Sequence, residues 1–347
     1  MRSESAFSTG IDNLRFLATA GVVLLHVSAA VLPHFQTLPS GYWLSGLALN
    51  AATRWCVPAF VMISGALLLP KEMPVARFLQ KRFSRILFPF LFYASLYLIW
   101  FLSLRLLYGH QNSPDQTWQW LSQKVKSGVS YHFWFVYMIL GLYLFIPVLG
   151  KWVRQSSDKE IPGFILLWFV ANQINDFGIF GPYYKNELGY FSGYIGYLVW
   201  GYYLAHRLTI SAIRAKQAAA VLIFTGYFVL FFSTLLASLD AGKTTGVLYG
   251  NFSPCVWAIA SGLFLVCSTI SPVCGWRNAV VHFVCRYSFG IYLIHILILK
   301  WLTSWGIHWN MFHPALAIPV TTLLCLLLSS CFAWIISKLP FGNKISG

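Results

Sequence analysis

The sequence predicts an all-α fold, a polytopic bundle of about ten transmembrane helices with the N-terminus and C-terminus both cytoplasmic. Three observations predict it: an apolar composition, a succession of runs long enough to cross a bilayer, and an uneven placement of the basic residues. Of 347 residues, 58% are hydrophobic and only 10% charged, more apolar than a domain can be while staying in solution. The 15 Trp and 18 Tyr suit many helices anchored at membrane interfaces, where amphipathic rings prefer to sit.

Apolar runs able to cross about 30 Å of hydrocarbon occur at 11–32, 46–69, 86–107, 132–149, 161–172, 190–204, 218–239, 249–270, 288–305 and 315–337. The fifth and sixth are short. The first could pass for a signal peptide, with "VSA" ending at Ala29 as a cleavage site. It runs on to Leu32, however, and carries Asp12 and Arg15 where a plain basic head belongs, so it is expected to stay as a span.

The charges test that count independently, because Lys and Arg accumulate in loops that remain cytoplasmic. With the N-terminus inside, sixteen basic residues fall in inner segments, five of them between Lys71 and Arg85. Outer segments hold Lys124, Lys126, Lys185, Lys243 and Lys300, and Arg15, Arg54 and Arg105 lie within or at the edge of helices. The formal charge of +15 is therefore assigned to topology, and no nucleic-acid partner is expected. No C-x-x-C pair occurs among the seven cysteines, so neither a metal cage nor a disulfide framework is expected. With no repeat or long linker, residues 1–347 are expected to form a single domain.

Within the first run, Arg15 and His26 are eleven residues apart, about three turns and about 16 Å along one helix face. Asp12 and Thr19 share that face. Ionisable groups inside a span cost several kcal/mol unless they meet a cavity or partners. Arg15 can snorkel to an interface, but His26 lies past the middle of the span and cannot. The second run passes in the opposite direction and brings Arg54 to roughly the depth of His26. A cation there disfavours an imidazolium and leaves a neutral ring able to accept a proton. Carboxylates are scarce: of nine acids only Asp12 enters the stripe, which speaks against an ion-coupled transporter.

These segments resemble membrane-bound acyltransferase family 3. The resemblance rests on "IDNLRFLATAGVVLLH", with an Arg and a His separated by ten residues, and on "RWCVPAFVMISGALLL". It rests also on the Arg-x-x-Arg of "KRFSRILFPF", on "YHFWFVYMILGLYLFIP" and on "YSFGIYLIH". The blocks span most of the chain in the family's order. The resemblance implies an integral-membrane enzyme, an acyltransferase that moves an acetyl group from cytoplasmic acetyl-CoA to a hydroxyl of a cell-surface carbohydrate or its lipid-linked precursor. It implies a multi-pass protein of the bacterial inner membrane whose partners are acetyl-CoA, the carbohydrate acceptor and membrane lipids. No cofactor is expected to be bound permanently. Some relatives carry an extra extracytoplasmic hydrolase-like domain. None follows here before Gly347, so this domain is expected to present the acetyl group unaided.

On this reading Arg15, Arg82 and Arg85 bind the donor's phosphates, although an ordinary cytoplasmic loop would carry the same charge. His26, with Arg15, Asp12 and Arg54, forms the catalytic set: His26 as general base or as transient acyl carrier, Arg54 stabilising an oxyanion or orienting the acceptor. His132 and Trp134 are expected on the acceptor side, although interface anchoring accounts equally for Trp134. Tyr292 and His295, one turn apart, are expected to line the site, although His295 could equally make a helix-to-helix hydrogen bond. Ser64 and Gly65 are expected to serve close packing. The competing class is a transporter or flippase for a polar lipid-linked sugar, which would also want a polar chamber.

Overall fold

A computed structural model describes residues 4–108, 114–176, 189–246, 248–270 and 275–347. Among these residues every regular element is helical. In chain order they are α1 (Glu4–Ala29), α2 (Ser40–Ala51), α3 (Cys56–Leu68), α4 (Val75–Tyr108), α5 (Pro114–Ser127), α6 (Trp134–Gln155), α7 (Glu160–Asp176), α8 (Gly189–His206), α9 (Ala212–Ala241), α10 (Pro254–Cys267), α11 (Trp276–Arg286), α12 (Ser288–Ser304), α13 (Pro314–Ser337) and α14 (Gly342–Ile345).

Each of the ten expected runs coincides with a helix or a broken helix pair. Length and composition mark six stretches as able to cross a membrane, and a seventh if α11 and α12, bent by 76° at their junction, count as one crossing. The apolar α7 and α10 have 17 and 14 residues. At 1.5 Å per residue they reach about 25 Å and about 21 Å, short of a full hydrocarbon core. The protein is thus a multi-pass helical membrane protein. The polar α5 and α11 have no counterpart among the expected runs, because a helix lying outside the apolar core leaves no hydropathy signal.

The second run is broken at residues 52–55, between α2 and α3. Pro58, which has no N–H to offer, sits in the first turn of α3, where none is needed. Carbonyls freed at a break in a membrane helix need donors. Thr53 Oγ1 donates to the Asn50 carbonyl at 2.9 Å, and the Trp55 indole donates to Ala52 at 2.7 Å. The break therefore keeps its backbone satisfied while turning Arg54 out of the helix line.

α1 runs through the middle of the bundle, packed against α2, α3, α10, α11, α12 and α13. Around it two helix pairs close on small residues. Gly65 and Gly201 let α3 and α8 touch backbone to backbone, against Leu198 and Met62 respectively, and Gly262 of α10 meets the Ala219 carbonyl of α9. Glycine at such contacts gives the close approach that van der Waals packing needs where water supplies no hydrophobic drive. Gly65 thus packs as expected. Ser64 does not only pack: it faces a cavity described below.

Candidate active site

Three histidines meet where α1, α6 and α12 come together. The ring of His26 lies 5.1 Å from that of His295 and 6.5 Å from that of His132, and the last two are 5.2 Å apart. His132 arrives on a 3-10 turn, Tyr131–Phe133, at the head of α6. His132 and His295 are buried, while His26 is half-buried.

The hydrogen bonds fix two of the three tautomers. His132 Nε2 faces the Leu293 carbonyl at 3.3 Å and must carry its hydrogen; Nδ1 then accepts from the Ser130 hydroxyl at 3.0 Å. His295 Nδ1 donates to the Tyr292 carbonyl at 2.6 Å, so in the neutral ring Nε2 is a bare lone pair, buried and without a partner among the described residues. His26 Nδ1 is paired with the Tyr131 hydroxyl at 3.1 Å. A buried acceptor with no donor costs free energy, and that makes His295 Nε2 a position ready to take a hydrogen.

Two cavities flank this cluster. One, of about 310 Å³, is lined by His26, Tyr131, Lys300, Thr303, Trp309 and Thr321 among others. The other, of about 460 Å³, holds Arg15, Lys71, Lys81, Arg82, Arg85 and Arg286, with Ser64, Tyr143 and Tyr292 along its walls. They share no lining residue. Between them stands Tyr292, whose ring packs 5.2 Å from Phe135 and 5.5 Å from His132, and whose hydroxyl donates to the His132 carbonyl. Arg15 and His26, expected on one face of the first helix, thus open into two separate chambers with an aromatic septum between them. Tyr292 is a bulky ring at the place where a helical-wheel argument registers only a shared face.

The remaining expected residues divide. Arg82 and Arg85 join Arg15 in the basic cavity. Asp12 lies away from His26: it pairs with Arg15 at 3.4 Å and with His282 of α11 at 3.4 Å. Thr19 is buried and returns its hydroxyl to the Arg15 carbonyl, so the polar stripe is a local network at one end and a lone histidine at the other. The guanidinium of Arg54 is turned to Asn50 Oδ1, at 3.0 and 2.6 Å, and lies 4.0 Å over the Tyr249 ring. Trp134 faces Tyr194 of α8, ring centroids 6.1 Å apart, two residues on from His132 and on a different face.

Two residues central to this geometry were not anticipated. Asn50 is fully buried and, besides holding Arg54, donates to the Leu25 carbonyl and to Ser28 Oγ, both at 3.1 Å, on either side of His26 in the chain. Its spacing of four from Arg54 was a readable signal. The second is Tyr131, which immediately precedes His132 in the chain. Among the described residues, no group of His, Cys, Asp or Glu is arranged to hold a metal ion.

The described residues thus form a multi-pass helical bundle with a basic chamber, a histidine cluster and a second, mostly neutral chamber. Residues 8–337 match the acyltransferase domain of acyltransferase family 3, and the chain belongs to that family. No curated protein and no solved structure matches significantly. Family membership makes the protein an acyltransferase, which decides against the transporter class.

Proposed function

We propose that the protein transfers an acetyl group from acetyl-CoA to a hydroxyl of a carbohydrate, at the surface of a bacterial inner membrane, with both termini in the cytoplasm. The observation that carries this reading is the histidine cluster beside the Tyr292 septum, between a basic and a mostly neutral chamber. Six cations line the basic chamber, a landing site for the donor's phosphates. At about 460 Å³ it has the size of a small-molecule site. The pantetheine arm runs from Arg82 and Arg85 past Arg15 to Tyr292, and displacement of the Tyr292 ring admits the thioester to the histidines.

The acceptor hydroxyl approaches from the chamber of His26 and Tyr131. His26 takes the hydroxyl proton as the oxygen attacks the thioester carbonyl; the C–O bond forms, the C–S bond breaks, and the proton leaves with the thiolate as CoA thiol. The same position serves for a transient acyl-histidine that the hydroxyl then relieves. Arg54 acts through its charge, held by Asn50. The segments around Arg54 and His132 resemble those of the O-acetyltransferase that modifies enterobacterial common antigen, which supports a glycan acceptor, lipid-linked or polymeric.

The test is acetyl transfer from labelled acetyl-CoA to membrane or surface glycan by purified protein, against His26→Ala. Loss of about 10³-fold in rate is expected for removal of a general base. Full acetylation by the alanine variant would end the assignment of His26, and no turnover of acetyl-CoA by the unaltered protein would end that of the donor.

A further inference from the structure

The chamber beside His26 contains a cation that the chemistry above does not use. Lys300, near the end of α12, lines it, with its ammonium 4.3 Å from the centroid of the Phe101 ring of α4. Lys124 of α5 lies against the same ring at 5.3 Å. One turn further along α4, Arg105 sits 5.2 Å over Trp120. Three helices therefore bring three cations onto two aromatic rings in one cluster, which reaches the chamber through Lys300.

Among the described residues the ion pairs are those of Arg15 and His282 with Asp12, Arg154 with Glu72 and Arg207 with Asp158; neither Lys124 nor Lys300 joins one. Two ammonium groups held around one ring repel each other, and the ring's quadrupole attracts each but neutralises neither. The positive-inside tendency accounts for the basic residues at the opposite end of the bundle; at this end it works against them. The arrangement is what an anion would complete. The same chamber offers a sugar-sized volume, the Trp309 ring as a stacking face, and the hydroxyl of the buried Thr321, which has no hydrogen-bond partner among the described residues.

We propose that this chamber binds a carbohydrate bearing an anionic group, a carboxylate or a phosphate, with Lys300 and Lys124 engaging the charge while a hydroxyl of the same molecule faces His26. The inference rests on the acyl-transfer reading for its choice of ligand. It assigns to the two lysines the selection of acceptor, a role separate from the chemistry.

The experiment uses the purified full chain and three probes: methyl glucoside, methyl glucuronoside and glucose 1-phosphate. Binding is read by calorimetry and acetylation by mass spectrometry. At least one charged probe is expected to bind about 10-fold more tightly than methyl glucoside, the charged pair between them telling carboxylate from phosphate. Lys300→Met, which keeps the apolar stem, is expected to bring the charged probes down to the affinity of the neutral one, Lys124→Met to do so in part, and Lys300→Arg to restore the preference. Equal binding of all three probes by the unaltered protein, or a charge preference that survives both methionine variants, overturns the proposal. Charge-selective binding without acetylation of any probe leaves this inference standing and counts against the acyl-transfer assignment; acetylation without charge preference does the reverse.

Discussion

The two chambers that flank the histidines are built on opposite principles. In the basic chamber the cations come from the loop at Lys71, the early turns of α4, the middle of α1 and the end of α11, and two already have company: Arg15 shares Asp12 with His282, and Arg82 lies 5.9 Å over Phe78. Around His26 the polar groups are few and individually placed: His132 and Asn50 are buried and bonded to named backbone or hydroxyl partners, and the half-buried His26 meets the Tyr131 hydroxyl. A site of the first kind tolerates the loss of one member, because its attraction is a sum over charges in a partly wet environment. A site of the second kind does not, because each loss strands a partner away from water. The comparison predicts sharply unequal responses to substitution.

The largest effect, after loss of His26 itself, belongs to Asn50. Its carboxamide is the acceptor for Arg54 and the donor to Leu25 and Ser28. Asn50→Ala strips the half-buried Arg54 guanidinium of its amide acceptor and leaves the Leu25 carbonyl to the Ser28 hydroxyl alone, a loss of about 2 kcal/mol, read as lower thermal stability in detergent. It also loosens α1 beside His26, and a shift of about 1 Å there costs about 100-fold in rate. An alanine variant as stable and active as the parent would remove the distinction between the chambers.

Tyr131→Phe is the next test. It deletes only the hydroxyl bonded to His26 Nδ1. With the nearest carboxylate of α1, Asp12, committed elsewhere, this phenol is what orients the imidazole, as a carboxylate does in hydrolytic triads. A drop in kcat of about 10- to 30-fold with KM for acetyl-CoA unchanged is expected for a lost neutral hydrogen bond that strengthens at the transition state. A change confined to KM would place Tyr131 in binding alone.

In the basic chamber, Arg82→Ala and Arg85→Ala are each expected to raise KM for acetyl-CoA by about 5- to 10-fold, the scale of one charge-assisted contact, with kcat nearly constant. The effect should shrink as salt is raised from 50 to 500 mM, since screening already weakens the sum. A salt-independent loss of kcat would show that these arginines touch the reacting atoms.

Much of this contrast was legible in the chain. The helical class and the places of the helices followed from hydropathy, and the basic chamber from clustered charge, since Lys71, Arg82 and Arg85 lie close in sequence and a loop or helix end keeps such neighbours together. His26 and Arg54 stood out as costly groups in apolar runs. What was not legible depends on rotation and on long-range meeting. The septum is a case: Tyr292 and His132 are 160 positions apart, and nothing in either segment says that one closes the path beside the other. Asn50 carried a signal, its four-residue spacing from Arg54, that attention to charged residues alone passes over.

Trp134 gives the smallest expected effect and the finest test of how orientation decides function here. It follows His132 by two residues and was expected beside it at the acceptor. As α6 begins, each residue advances about 100° around the axis, and two steps carry the indole to the face that meets Tyr194. Trp134→Phe keeps an aromatic body at that helix contact and is expected to change acceptor KM by less than about 2-fold and stability by about 1 kcal/mol, the scale of one trimmed aromatic contact. His132→Ala, on the facing side, removes the groups bonded to Ser130 and Leu293 and should cost far more in rate. If the two variants instead lose acceptor affinity together, α6 presents both side chains to the sugar during turnover, and the histidine chamber extends toward α8 in the working enzyme.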